Sequence, residues 1–242
     1  MMESTISYIL LTALLGLGLP LYSLLSGGKR LRRLLEQYPA YRKLVFRQSI
    51  IFQWVMVALI LLAMSFEGDP LTAIGLGFLS KPVWVAGLLA LTALGIWGAQ
   101  FISISTSKLP KVAAWYRDVL HLIPANRQEY AWAMALSFTA GVCEEIIFRG
   151  FLFWQLQQYI SLIPAIVVVN LLFAGSHYGT RKRNMLLAFL FGVVASGLFI
   201  WTGELWAAMA AHILIDVYSL SRGKKMLDMQ RAQAAELPPD EG

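Results

Sequence analysis

The sequence predicts an all-α fold: a polytopic transmembrane helix bundle of about seven spans. Three observations carry this. Of 242 residues, 58% are apolar and 14% are charged, whereas soluble domains average about 45–50% and about 25%. Mean hydropathy is +0.63. The basic residues also cluster between apolar runs long enough to cross a bilayer, which is the positive-inside pattern rather than a groove-binding face. The net charge of +6 therefore points to a lipid bilayer as partner and away from nucleic acid. A single cysteine, Cys143, excludes an internal disulfide framework and reads as a small packing residue.

In order, the first span runs from about Ile6 to Leu25, with Gly16, Gly18 and Pro20 loosening its second half. It is too long for the apolar part of a signal peptide and lacks a basic start. A basic connection follows: Lys29, Arg30, Arg32, Arg33, Arg42, Lys43 and Arg47 against Glu36 alone. Leu31, Leu34, Leu35 and Tyr38 are spaced there as an amphipathic helix, either lying on the membrane surface or solvated in a loop. Span two covers about Ile50 to Phe66, and Glu67-Gly68-Asp69-Pro70 turns on the opposite side. Leu71 to Leu79 is too short to span, and its Gly75-Leu76-Gly77 lacks a phosphate-loop context. Span three runs from about Val83 to Ile104. Lys108, Lys111, Arg117 and Arg127 then return the chain to the cytoplasm, and His121 between them is expected to carry no chemistry.

Span four, from Ala131 through Leu156, holds the unusual stretch Gly141-Val142-Cys143-Glu144-Glu145-Ile146-Ile147-Phe148-Arg149-Gly150. Charges at that depth cost about 2.5–3.5 kcal/mol each on insertion scales, so they are functional by default. On a helix Glu145 and Arg149 are four apart, acid before base, and can pair. Glu144 lies about 100° away and is left to titrate as a general base. Span five, about Leu162 to Tyr178, contains Asn170, Phe173 and His177. Arg181-Lys182-Arg183 again marks the cytoplasmic side. Span six runs from about Met185 to Trp201, and span seven, about Leu205 to Leu220, contains His212 and Asp216, four apart on one face. The tail from Arg222, ending in Pro238-Pro239-Asp240-Glu241-Gly242, is expected to be disordered. Carboxylates and imidazoles on three helices are best accommodated in one shared polar cavity.

Glu144-Glu145-x-x-x-Arg149, Phe173-x-x-x-His177 and His212-x-x-x-Asp216, in this order on successive apolar segments, resemble the CPBP family. These are the CAAX-protease and bacteriocin-processing membrane proteins, also called the Abi family, which include the type II CAAX prenyl endopeptidases. The resemblance covers roughly Tyr130 to Ser221. It divides the chain into N-terminal helices with basic cytoplasmic connections (1–129), a catalytic core of four helices around the cavity (130–221) and a cytoplasmic polar tail (222–242).

The resemblance implies an intramembrane endopeptidase acting on a peptide or membrane-protein substrate. Glu144 would activate water, His177 would assist, and His212 and Asp216 would stabilise the oxyanion, with Glu145, Arg149 and Phe173 in support. The well-known CAAX enzymes carry asparagine where this chain has Asp216. An ionised carboxylate cannot donate to an oxyanion, so Asp216 must be protonated or must orient His212. Glu144, His177 and His212 would also make an acceptable zinc set. HExxH is absent, and the metal-independent glutamate mechanism, with no cofactor, is favoured. Glu144 lies about 20 Å along its helix from Glu129, whereas His177 is close to Arg181, so helix four must begin beyond the cytoplasmic surface or be strongly tilted; the former is expected, with a cavity open to the cytoplasm. The expected location is a prokaryotic plasma membrane, with the C-terminus cytoplasmic.

Rival readings remain. Ser196 before His212 suggests a serine intramembrane protease, but that leaves Glu144 and Arg149 unexplained. A proton-coupled transporter would show an inverted repeat, and none is visible. The alternative of weight is a non-catalytic scaffold, immunity or partner-binding protein that keeps the polar cavity.

Overall fold

The apolar runs fold as helices in the computed structural model of the chain, which describes residues 6–26, 28–77, 82–99, 101–178 and 182–236. The expectations for Arg181 and for Pro238 to Gly242 lie outside the described residues. No strand occurs among those described. The first rod comprises α1 (Ile6–Ala13), a wider π-helical stretch (Leu14–Gly18) and α2 (Leu19–Ser26). Helices α3 (Gly28–Gln37), α4 (Arg42–Glu67), α5 (Pro82–Ala99) and α6 (Leu109–Tyr116) follow. Helix α7 (Arg127–Glu145) passes into a second π stretch (Ile146–Leu152) and ends as α8 (Phe153–Leu156). Helices α9 (Leu162–Ser176), α10 (Lys182–Thr202) and α11 (Trp206–Glu236) complete the bundle. Pro39–Glu67, Arg127–Leu156 and Lys182–Thr202 are long and apolar enough to cross a membrane, with shorter apolar helices at Ile6–Leu21, Ala90–Ala99 and Leu162–Ser176.

Two expectations need correction, at the ends of span three and of the last helix. Span three stops as a helix at Ala99 rather than near Ile104. The Leu71 region, too short to span, packs inward at one point: Leu71–Ile74 makes one tight turn that leaves Leu71 exposed and buries Ile74 completely. Gly75 ends this turn at φ +78°, which suits glycine, and its carbonyl accepts from the Leu205 backbone N–H. The last helix also does not stop near Leu220 but continues to Glu236. Packing holds that extension, because Met226 is fully buried and Gly223 sits against Ile123 and Tyr116. The Lys224–Asp228 pair adds an i,i+4 contact on its outer face.

The core is the buried seam where α4, α7, α9 and the first rod meet around Ile60, Met64, Phe148, Phe151 and Phe173. Outward-facing Leu10, Leu17, Leu62 and Leu190 are more than half exposed, as suits a lipid-facing surface. The two ends differ in charge. At one end, Arg42 donates to the His121 carbonyl and to the buried Glu129 carboxylate, Arg183 to the Trp115 carbonyl and Arg231 to the Ala125 carbonyl. At the other end, Tyr8 donates to Asp69 and Ser7 to Glu67. Helix α7 thus starts inside a basic layer, where Asn126 caps it by accepting from the Glu129 N–H at 2.9 Å. Glu129 in turn accepts from the Ala125 N–H.

Candidate active site

Three helices, α7 with its π stretch, α9 and α11, bring the motif residues together. The two glutamates end α7, directly before the π stretch, all seven residues of which are buried. Such wide turns recur at functional sites because they re-aim side chains without breaking the helix. Glu145 points inward and is fully buried. Its Oε1 accepts from Arg149 Nη1 at 3.0 Å and from His212 Nδ1 at 2.7 Å. The i,i+4 pairing expected from the sequence is therefore present. The bond to His212 was not legible, since it joins residues 67 apart.

Arg149 is 1% exposed and its charge is spread over three partners. Besides Glu145, Nη2 donates to Asn170 Oδ1 at 3.1 Å, and the guanidinium lies 4.3 Å from the Phe173 ring centre. Asn170 is itself fixed, donating to the Ile166 carbonyl and to Ser196 Oγ. Ser196 is thus a buried acceptor in this network. Sequence reading placed Asn170 in span five but gave it no role. Its signal was a polar amide in an apolar run, four residues before Ala174 and one turn before Phe173.

Two glycines permit the close approaches. A methyl group on Gly192 of α10 would lie 2.2 Å from Asn170 Oδ1 and 2.7 Å from Arg149 Nη2. One on Gly141 of α7 would lie 2.4 Å from Ile213 Cγ1 and 2.9 Å from its backbone nitrogen, beside His212.

Glu144 takes the other face of α7 and is partly exposed. Its Oε1 accepts from Gln53 Nε2 of α4 at 3.3 Å, a partner the sequence did not announce. His212 Nε2 stands between two further carboxylates, 3.8 Å from Glu144 Oε2 and 3.9 Å from Asp216 Oδ2. It is Glu145, on Nδ1, that orients this ring. His177 caps α9, with its Nδ1 held by the Phe173 carbonyl at 2.9 Å and near Ser176 Oγ at 3.2 Å. Phe173 packs edge-on against both His177 and His212.

Two cavities flank His177. The smaller, about 270 Å³, is lined by Glu144, His177, Gln53 and Ser176 among apolar neighbours. The larger, about 730 Å³, holds His177, His212, Asp216 and Phe173 at one side and Leu187, Leu190, Val194 and Ile215 at the other. The candidate residues thus border a polar centre with an apolar annex.

The donor set of two imidazoles and a carboxylate suits zinc chemically. Among the described residues no group of three His, Cys, Asp or Glu side chains is gathered as a metal site.

Residues 126–218 match the family model of the type II CAAX prenyl endopeptidase Rce1-like proteins. This segment is similar to the Rce1-like proteins. It begins at the Asn126 cap and ends two residues beyond Asp216, so every motif residue falls within it. The match supports a protease-type enzyme embedded in a membrane. No curated protein and no solved structure matches the chain.

Proposed function

We propose that this protein is an intramembrane endopeptidase whose Glu144 activates water, with residues 130–221 as the catalytic core. The observation that carries the reading is the contrast between two adjacent carboxylates. Glu145 is buried and bound to Arg149 and His212, while Glu144 borders the cavity it shares with His177. The first is committed to structure and the second faces the cavity as the candidate base.

The chemistry follows from those positions. Water in the smaller cavity gives a proton to Glu144, and its oxygen attacks the scissile carbonyl carbon. His177 assists through Nε2, since Nδ1 is engaged by its own helix. The tetrahedral oxyanion forms on the His212 side, where the doubly protonated ring donates from Nε2 while Glu145 holds Nδ1. Asp216 in its protonated form is a second donor. Collapse breaks the C–N bond, and the proton passes from Glu144 to the departing amine. Gln53 supports the first step. Its Nε2 holds Glu144, and its buried carbonyl oxygen, without a partner among the described residues, is placed to accept from the attacking water. The apolar annex suits a substrate with a hydrophobic flank, and a CAAX-type prenylated peptide is the first to try.

The test is cleavage of a farnesylated CAAX peptide and of an unprenylated precursor peptide by purified protein. Glu144→Gln and His177→Ala should each lower the rate by on the order of 10²–10⁴, with activity kept in chelator. Loss in chelator would replace the glutamate mechanism with a metal-dependent one. A Glu144→Gln protein as active as wild type would overturn the reading.

A further inference from the structure

Away from the catalytic centre, a third cavity of about 510 Å³ opens between α5, α7 and α11 at the basic end of the bundle. We infer that it binds one anionic phospholipid, through the phosphate of its headgroup. Its rim carries Arg127, Lys224 and Lys225 against a single acid, Asp228. Lys224 gives both its short contacts to Asp228, and Arg127 and Lys225 at the mouth have no ion-pair partner among the described residues. Both are exposed, Arg127 at the start of α7 and Lys225 within α11, so that two side chains can reach one phosphate.

Below the rim the lining changes character. Tyr130 and Ser221 hydroxyls meet at 2.9 Å and form a polar step. Beyond them Ile96, Ala99, Ile102 and Met134 form an apolar wall. A free phosphate ion has no use for that wall, whereas an acyl chain does. Cation at the mouth, hydroxyl at the neck and hydrocarbon beneath match a phospholipid in the leaflet that faces the basic end. The site also joins α7 to α11, the two helices that carry Glu144, Glu145, His212 and Asp216. A bound lipid therefore stitches together the pair on which the catalytic geometry depends. The inference itself stands without the protease reading, because its test is binding.

The experiment is native mass spectrometry of purified full-length protein given dioleoyl phosphatidylglycerol, dioleoyl phosphatidylcholine or inorganic phosphate. Wild type should retain one phosphatidylglycerol in preference to phosphatidylcholine. Arg127→Gln with Lys225→Gln should lower that retention about tenfold or more. Arg30→Gln with Arg33→Gln, which removes two exposed charges from α3, should leave it unchanged. Equal retention by the rim variant and wild type would overturn the site. Equal loss in the α3 variant would reduce it to general surface charge. Displacement of the lipid by millimolar inorganic phosphate would assign the site to a free phosphate instead. Thermal melting of each variant in detergent separates lost binding from lost folding.

Discussion

Arg149 is the residue on which the polar centre most depends. It is buried with Glu145, and removing one member of a buried ion pair leaves the other charge without compensation, at a cost of about 3–5 kcal/mol. Arg149→Met should therefore lower the melting temperature sharply, and Arg149→Met with Glu145→Gln should recover much of it. Activity should not return with stability, because Glu145 also holds His212. Measured melting and peptidase rates on the same three proteins would check both halves. A double variant as active as wild type would show that the His212 contact is dispensable. Gln53 separates chemistry from folding more cleanly. Among the described residues it makes one side-chain bond, to Glu144, and Gln53→Ala should leave melting nearly unchanged while lowering kcat on the order of 10- to 100-fold through misplacement of the base. An unaltered rate would remove Gln53 from the mechanism.

Helices meet at this site through glycine. Gly141 lets α7 approach the α11 backbone at Ile213, one residue from His212. Gly141→Ala should push the two apart, cost about 1–3 kcal/mol of stability and lengthen the His212–Glu145 contact, so that KM is affected less than kcat. In the basic layer the sensitive group is His121. Burial, reinforced by nearby Arg32 and Arg42 against Glu36, holds its imidazole below the ordinary histidine range. The folded state then binds fewer protons than the unfolded chain once pH falls below about 6.5. Stability should decline from there as pH drops towards the lowered folded value. Melting curves between pH 7.5 and 5 should show a smaller decline for His121→Asn, and identical slopes would assign the decline to other groups. These contacts also mark how far the sequence could be read. Periodicity and charge placed the helices, and i,i+4 spacing gave the Glu145–Arg149 pair, because both are local properties of the chain. The Glu145–His212, Arg149–Asn170 and Glu144–Gln53 bonds join separate helices, and no local pattern encodes which helices touch. The extension of α11 was misread for a related reason: its composition is that of a solvated tail, and only the packing of Met226 and Gly223 holds it as helix.

At the scale of the molecule, charge sorts the two ends of the bundle and so sets its orientation in a membrane. The basic connections gather at one end, with Arg42, Arg183 and Arg231 tied into a shared layer, and Glu67 and Asp69 lie at the other. By the positive-inside bias we propose that the basic end faces the cytoplasm, with the start of α7 and the end of α11 on that side. Both cavities beside His177 then lie between this layer and the far turns. The single native cysteine is fully buried, so introduced cysteines can report orientation against a silent background. In intact cells a membrane-impermeant maleimide should label Tyr159→Cys, in the turn between α8 and α9, and should spare Ser107→Cys and Lys225→Cys until the membrane is opened. The reverse pattern would turn the bundle over and put the proposed lipid site in the outer leaflet. Labelling of all three in intact cells would mean mixed insertion, and the charge asymmetry between the ends would then be too weak to set topology.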